Sequence, residues 1–166
     1  MPLFSPQLIS LSESVIRAAA AKKLQIATAE SCTGGLISAC LTEVSGASSV
    51  FDRGYISYSY DSKTAYFGVP QEIVVACGAV STEVARGMAE GALRHSKADI
   101  TVSATGIAGP GGGTPEKPVG LVYLGIALKG KSYALKNNFT GDRAEIRLAT
   151  VEKALITLKN EIDSLS

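Results

Sequence analysis

The stretch "TAESCTGGLISACL", Thr28 to Leu41, sets Glu30, Ser31, Cys32 and Thr33 side by side and follows them with Gly34 and Gly35. Ser31, Cys32 and Thr33 each carry a group able to attack an electrophile once a base removes its proton. All of them fall where a short strand pattern gives way to a helix pattern. A turn of that kind exposes backbone N–H groups with partial positive charge, suited to an anion or a developing oxyanion. Gly34 and Gly35 would let a ligand approach the backbone closely. The plain alternative is that Ser31 or Thr33 caps the helix and the glycines ease packing.

A second stretch, "SATGIAGPGGG", again runs the end of a strand into glycines. It lacks the Gly-Lys-Ser/Thr ending of a P-loop and does not fit the dinucleotide pattern G-x-G-x-x-G. Its stiff "GIAGP" insert favours a ligand-lining loop over a linker. Lys63, in "YSYDSK", gains interest from the shortage of other bases. The one histidine, His95, sits at a helix end beside Arg94 and reads as an exposed cap. An activated serine would therefore depend on a lysine or a carboxylate, and Ser-Lys pairs are a known variant of triad logic. The spacing S-x-x-K occurs nowhere, so such a pair must meet through the fold. The lysine must also lose its proton, which requires its pKa of about 10.4 to fall towards roughly 7–8. Cys32 is the rival nucleophile, with a thiol pKa of about 8.5. Finally, "TGDRAEIR" places Arg143 and Arg147 one helical turn apart, able to share one phosphate or to pair with Asp142 and Glu145.

The elements that must position these groups follow from periodicity and punctuation. Leu8, Leu11, Val15 and Ala18 recur at helical spacing between about Ser5 and Lys22. "LQIATA" predicts a strand, "GGLISACLTEV" a helix, the alternating "YISYSY" a strand, and Asp61–Phe67 a short helix ended by "GVP". Ser81 is a natural N-cap for a helix that buries Ala85, Met88, Ala89 and Ala92. "ADITVSA" predicts a buried strand, "VGLVYLGIAL" and "SYALKNNF" a hairpin across "KGK", and the Asp142–Glu145 pair a capping box for the last helix. The order α β α β α α β β β α predicts one α/β domain over residues 1–166, with a mixed sheet and helices on both faces.

The bulk composition narrows the function classes. At 166 residues, with 46% hydrophobic and 19% charged residues, the chain reads as an ordinary globular domain. A net charge of +1 offers no basic field for nucleic acid. Cys32, Cys40 and Cys77 have no metal-ligand spacing, so no metal is expected. No stretch reads as a signal peptide or a bilayer span, and a reduced cytoplasmic setting without membrane contact is the expectation.

Taken together, "AESCTGG" (29–35), "YS" followed by Lys63, "GAVS" (78–81), "TGIAGPGG" (105–112), "KPVG" (117–120) and "F-x-GDR" ending at Arg143 closely resemble the CinA carboxy-terminal domain family, the nicotinamide-nucleotide amidohydrolases (PncC-type deamidases). The resemblance spans nearly the whole chain. It implies a three-layer α/β/α fold with a mixed, mostly parallel sheet, no metal or cofactor, and a homo-oligomer. It also implies hydrolysis of the carboxamide of nicotinamide mononucleotide. The matching catalytic pair is Ser31 and Lys63, with Tyr58 and Thr105 near the reacting group. Substrate-binding segments match Glu30 and Cys32, the turn Thr33, Gly34 and Gly35, the loop through Gly106, Ile107, Ala108, Gly109, Gly112 and Gly113, and Arg143. Tyr60 stands where the commonest family motif has Asn. Two other readings stay open: a catalytically silent nucleotide-binding module acting through protein partners, and an amidase for another small amide.

Overall fold

The computed structural model describes residues 2–166. Helix α1 (Pro6–Ala21) starts at Ser5, whose hydroxyl accepts from the Leu8 amide, with Pro6 at the first helical position. Strand β1 (Ile26–Glu30) is buried at every residue, as a strand flanked on both sides must be. It leads through the Ser31–Gly35 turn into α2 (Leu36–Thr42), and a short 3-10 turn (Ala47–Ser49) precedes β2 (Phe51–Ile56). Helices α3 (Tyr60–Phe67), α4 (Gln71–Cys77) and α5 (Thr82–Arg94) come next, then β3 (Ile100–Gly106), the hairpin of β4 (Leu121–Leu128) and β5 (Lys131–Asn138), and α6 (Arg143–Ser164).

The five strands lie in the order β2-β1-β3-β4-β5. Both β2 and β3 run parallel to β1, whereas β4 is antiparallel to β3 and to β5, so only β4 points the other way. The expected three-layer α/β/α architecture with a mixed sheet is what forms. Helices α1, α2 and α6 cover one face over a core that includes Val15, Ile37, Leu41, Leu124 and Leu155. On the other face α5 crosses the sheet, and Phe67, Val69, Val74, Val84 and Met88 build a smaller core with α3 and α4. Gly91 permits that close packing, since a Cβ there would lie 2.3 Å from the Phe67 carbonyl oxygen. The capping box at Asp142 and Glu145 forms as expected, with both reciprocal bonds in place.

Two elements depart from the sequence expectation. The strand placed at Tyr55–Tyr60 instead ends at Ile56, and Tyr60 already belongs to α3. Ser59 causes the change: its hydroxyl accepts from the Ser62 amide, and this local cap takes over where the sheet offers no further partner. Helix α4 carries no amphipathic signal, because "QEIVVAC" is a β-branched run whose helical state depends on docking Val74 against α5. Among the described residues, no helix is long and apolar enough to cross a membrane.

Candidate active site

Register brings the strand ends together. Glu30 pairs with Ile56 on one side and with Ala104 on the other, so β1 and β2 stop level while β3 runs on beside β4 to Gly106. Pairing continues one residue further, with the Ser31 amide donating to the Ala104 carbonyl at 2.9 Å and the Ser57 amide to the Glu30 carbonyl at 2.8 Å. From β1 the chain passes to β2 on one side and then crosses to β3 on the other. Ser31 therefore sits at the switch point beyond the carboxyl ends, where open α/β sheets bind ligands.

Lys63, in the first turn of α3, reaches back over this edge. It is 1% exposed. Its Nζ lies 3.1 Å from Ser31 Oγ and donates to the Ser57 carbonyl at 3.0 Å. Burial pushes its pKa down to about 8, against a smaller raising effect of the neighbouring Cys32. An amine held in this way can give one hydrogen to Ser57 and keep its lone pair for Ser31. A cavity of about 270 Å³ opens above the pair.

The walls of that cavity contain many of the expected residues. Tyr58, Thr105, Gly106, Ile107, Ala108, Gly109, Gly112 and Arg143 line it. Arg143 donates to the Gly109 carbonyl at 2.8 Å and to the Tyr58 hydroxyl at 3.0 Å, so it ties the glycine loop to the end of β2 rather than pairing with Asp142 or Glu145. The Thr105 hydroxyl gives its proton to the Ala79 carbonyl at 2.8 Å. That leaves Thr105 an acceptor toward the cavity, while the Tyr58 hydroxyl, accepting from Arg143, keeps its own proton to give. Gly111, Tyr60, Ala79 and Val80 also line the space, although sequence reasoning did not place the last two there. The signal for Ala79 and Val80 was the "GAVS" stretch itself, which Lys117 holds by donating to the Cys77 and Val80 carbonyls.

Other expectations need correcting. Glu30, matched to a substrate-binding segment, stays out of the cavity wall: it is fully buried and its oxygens accept from Thr33 Oγ1, the Gly35, Ile37 and Ser38 amides and Ser38 Oγ. A carboxylate at the start of α2 satisfies donors that would otherwise be orphaned. Thr33, Gly34 and Gly35 serve the same closed turn and stay out of the cavity wall, as does Gly113. The Gly34 amide donates to the Ser31 carbonyl at 3.0 Å, so of the expected oxyanion donors only the Cys32 and Thr33 amides lack a protein acceptor among the described residues. The Cys32 side chain borders the cavity yet belongs to the apolar core, and burial pushes its thiol up to about 11. The base separates the two: Lys63 Nζ is hydrogen-bonded to Ser31 Oγ and not to the thiol. His95 caps α5 and is exposed, with its carbonyl bonded by Tyr55 and Arg53.

Fold and site together define a three-layer α/β protein with a bonded serine–lysine pair at the switch point of its sheet. The family model for the CinA C-terminal domain matches residues 8–162, and the chain belongs to that family. A relative from Caldicellulosiruptor bescii, named for competence-damage induction, is 52% identical over 152 residues, which is 92% of this chain and 37% of the relative. A CinA-like protein of Akkermansia muciniphila is 45% identical over 157 residues, 94% of this chain and 38% of its own length. The chain thus spans little more than a third of the curated relatives it matches. The solved structure of the competence/damage inducible protein CihA from Agrobacterium tumefaciens has a TM-score of 0.95 at 44% identity, covering 99% of this chain and 100% of that one. A CinA superfamily protein from Klebsiella pneumoniae 700603 gives 0.91 at 30% identity, covering 95% and 99%.

Proposed function

We propose that the chain hydrolyses the carboxamide of nicotinamide mononucleotide, giving nicotinic acid mononucleotide and ammonia, through an acyl-enzyme on Ser31. The observation that carries this reading is the buried Lys63 amine 3.1 Å from Ser31 Oγ at the floor of the cavity. The choice of substrate rests on the family resemblance, and the pyridinium charge of that substrate would lower the lysine pKa further.

The steps follow from the groups present. Neutral Lys63 takes the Ser31 proton as Ser31 Oγ bonds to the carboxamide carbon, and the carbonyl π electrons move onto oxygen. The Cys32 and Thr33 amides, which have no protein acceptor among the described residues, are the donors offered to that oxyanion. Collapse breaks the carbon–nitrogen bond, and the Lys63 ammonium returns its proton to the departing nitrogen as ammonia. Lys63 then takes a proton from water, whose oxygen attacks the ester, and Ser31 leaves with the proton restored. Tyr58 lines the same cavity and offers its hydroxyl proton to the departing amine. Arg143 and the Gly111–Gly112 segment supply charge and close backbone approach for the phosphate.

The test is ammonia release from nicotinamide mononucleotide by wild type, Ser31→Ala, Lys63→Ala and Cys32→Ala. Loss of at least about 10⁴-fold in the first two, with Cys32→Ala retaining activity, is expected. Loss in Cys32→Ala alone would move the nucleophile to the thiol. A folded wild type that binds the nucleotide and releases no ammonia would make the chain a binding module.

A further inference from the structure

The Ser31 turn is gripped from outside by a residue that the proposed reaction does not use. Arg147, one turn into α6, donates from Nε to the Cys32 carbonyl at 3.1 Å and from Nη2 to the Thr33 carbonyl at 3.1 Å. Gly34 makes room for this: it sits at φ +59°, and a Cβ there would come within 3.3 Å of Arg147 Nη2. Among the described residues Arg147 forms no ion pair, so its charge is directed at backbone carbonyls alone. It also stands outside the cavity over Ser31, which Arg143 lines, and borders a neighbouring one instead.

Each gripped carbonyl belongs to a peptide unit with an N–H at its other end. The Cys32 carbonyl shares its unit with the Thr33 amide. The Ser31 carbonyl, which accepts from the Gly34 amide at 3.0 Å, shares its unit with the Cys32 amide. These two amides are the ones left without a protein acceptor beside the nucleophile. Three successive carbonyls are therefore pinned, two of them by one rigid guanidinium, and a cation on a carbonyl makes the N–H of the same unit a stronger donor. We infer that Arg147 is a positioning residue that orients and polarises the Cys32–Thr33 peptide units into the oxyanion site for Ser31, and that it does not anchor the substrate phosphate. The inference rests on the proposed chemistry at Ser31.

The experiment compares wild type, Arg147→Met and Arg147→Lys in two assays: turnover of nicotinamide mononucleotide, and phosphonylation of Ser31 by a fluorophosphonate. The endpoint of phosphonylation counts intact sites, and its rate reports oxyanion stabilisation at each site. Per intact site, Arg147→Met is expected to lose about 10²-fold in kcat, with KM within about twofold. Arg147→Lys, whose single ammonium cannot span two carbonyls with a fixed fork, is expected to lose about tenfold. Phosphonylation should slow in the same proportion, and the pH midpoint of the reaction should not move. A purely structural role would lower the endpoint and leave the rate per site unchanged, which overturns the inference. A KM raised about tenfold at constant kcat also overturns it, by making Arg147 a phosphate anchor. If Arg147→Met does not fold, Arg147→Lys decides between these outcomes. A wild type that is phosphonylated at Ser31 but releases no ammonia would sink the substrate assignment, while the phosphonylation rates still decide the role of Arg147. A wild type silent in both assays overturns both.

Discussion

The turn after β1 directs nearly all its polar groups at itself, whereas the loop after β3 leaves its groups turned outward. In the first, Glu30 collects five donors and Arg147 holds two carbonyls, so the backbone around Ser31 has one conformation available. In the second, the base is tied, with Ile107 pairing with Leu121 and Gly120 and Thr114 with Lys117, and Arg143 holds the Gly109 carbonyl. Gly111 and Gly112 are exposed, and the amides of both have no protein acceptor among the described residues. The difference separates two jobs at one end of a sheet. A nucleophile needs its geometry settled before the substrate arrives, and a recognition loop needs unspent donors when it does.

The largest way to break this contrast is Glu30→Ala, which orphans the donors at the start of α2. A loss of about 3–5 kcal/mol in stability by chemical denaturation is expected, at the upper end for single substitutions. A loss under about 1 kcal/mol would show that the turn is held by Arg147 and packing alone.

The pH dependence comes next in size. Activity needs neutral Lys63, so kcat/KM should climb about tenfold per pH unit below about 8 and level off above it, with the midpoint set by burial of the amine. The same group also makes stability depend on pH. Its folded pKa lies below its unfolded value of about 10.4, so between these limits the unfolded chain binds more protons and stability rises with pH. Lys63→Met should remove that rise. Loop variants should leave the midpoint where it is; a shift in them would mean that the two turns are not electrostatically separate.

The smallest effect is expected in the open loop. A Cβ at Gly111 meets nothing within 4 Å, and its φ is not positive. Gly111→Ala should change stability by less than about 0.5 kcal/mol. It should nevertheless raise KM several-fold, because the added methyl borders the cavity where a phosphate would approach. Equal KM in the variant would remove Gly111 from substrate recognition.

Much of this was legible in the residues, and the omissions have physical reasons. Caps at Ser5, Ser81 and Asp142 mark helix starts because the capping residues act within a few positions of themselves. The strand at Tyr55–Tyr60 was misplaced because alternation cannot show that Ser59 will cap a helix. Helix α4 was invisible because its helicity comes from tertiary packing. At the site, the shortage of alternative bases pointed to Lys63. What sequence could not distinguish was direction: Ser31, Cys32, Thr33 and Glu30 are neighbours in the chain, yet only the path of the turn sends Ser31 to the lysine, Cys32 to the core and Glu30 to the helix start. Arg147 was legible only as one of a pair, and the pair divides, with Arg143 lining the cavity over Ser31 and Arg147 holding the carbonyls of the turn.

The dispersion of the site along the chain has a kinetic consequence. Ser31 follows the first strand, Lys63 lies in the third helix, Thr105 is the last residue but one of the third strand, and Arg143 and Arg147 belong to the last helix. The β4–β5 hairpin can zip from local contacts within microseconds, but docking α6 over α1 and α2 closes loops of more than a hundred residues. A chain in which α6 has not yet docked can therefore hold most of its sheet and the Ser31–Lys63 pair while Arg147 is not yet on the turn. The grip on the turn beside the nucleophile arrives late in folding, when α6 meets α1 and α2.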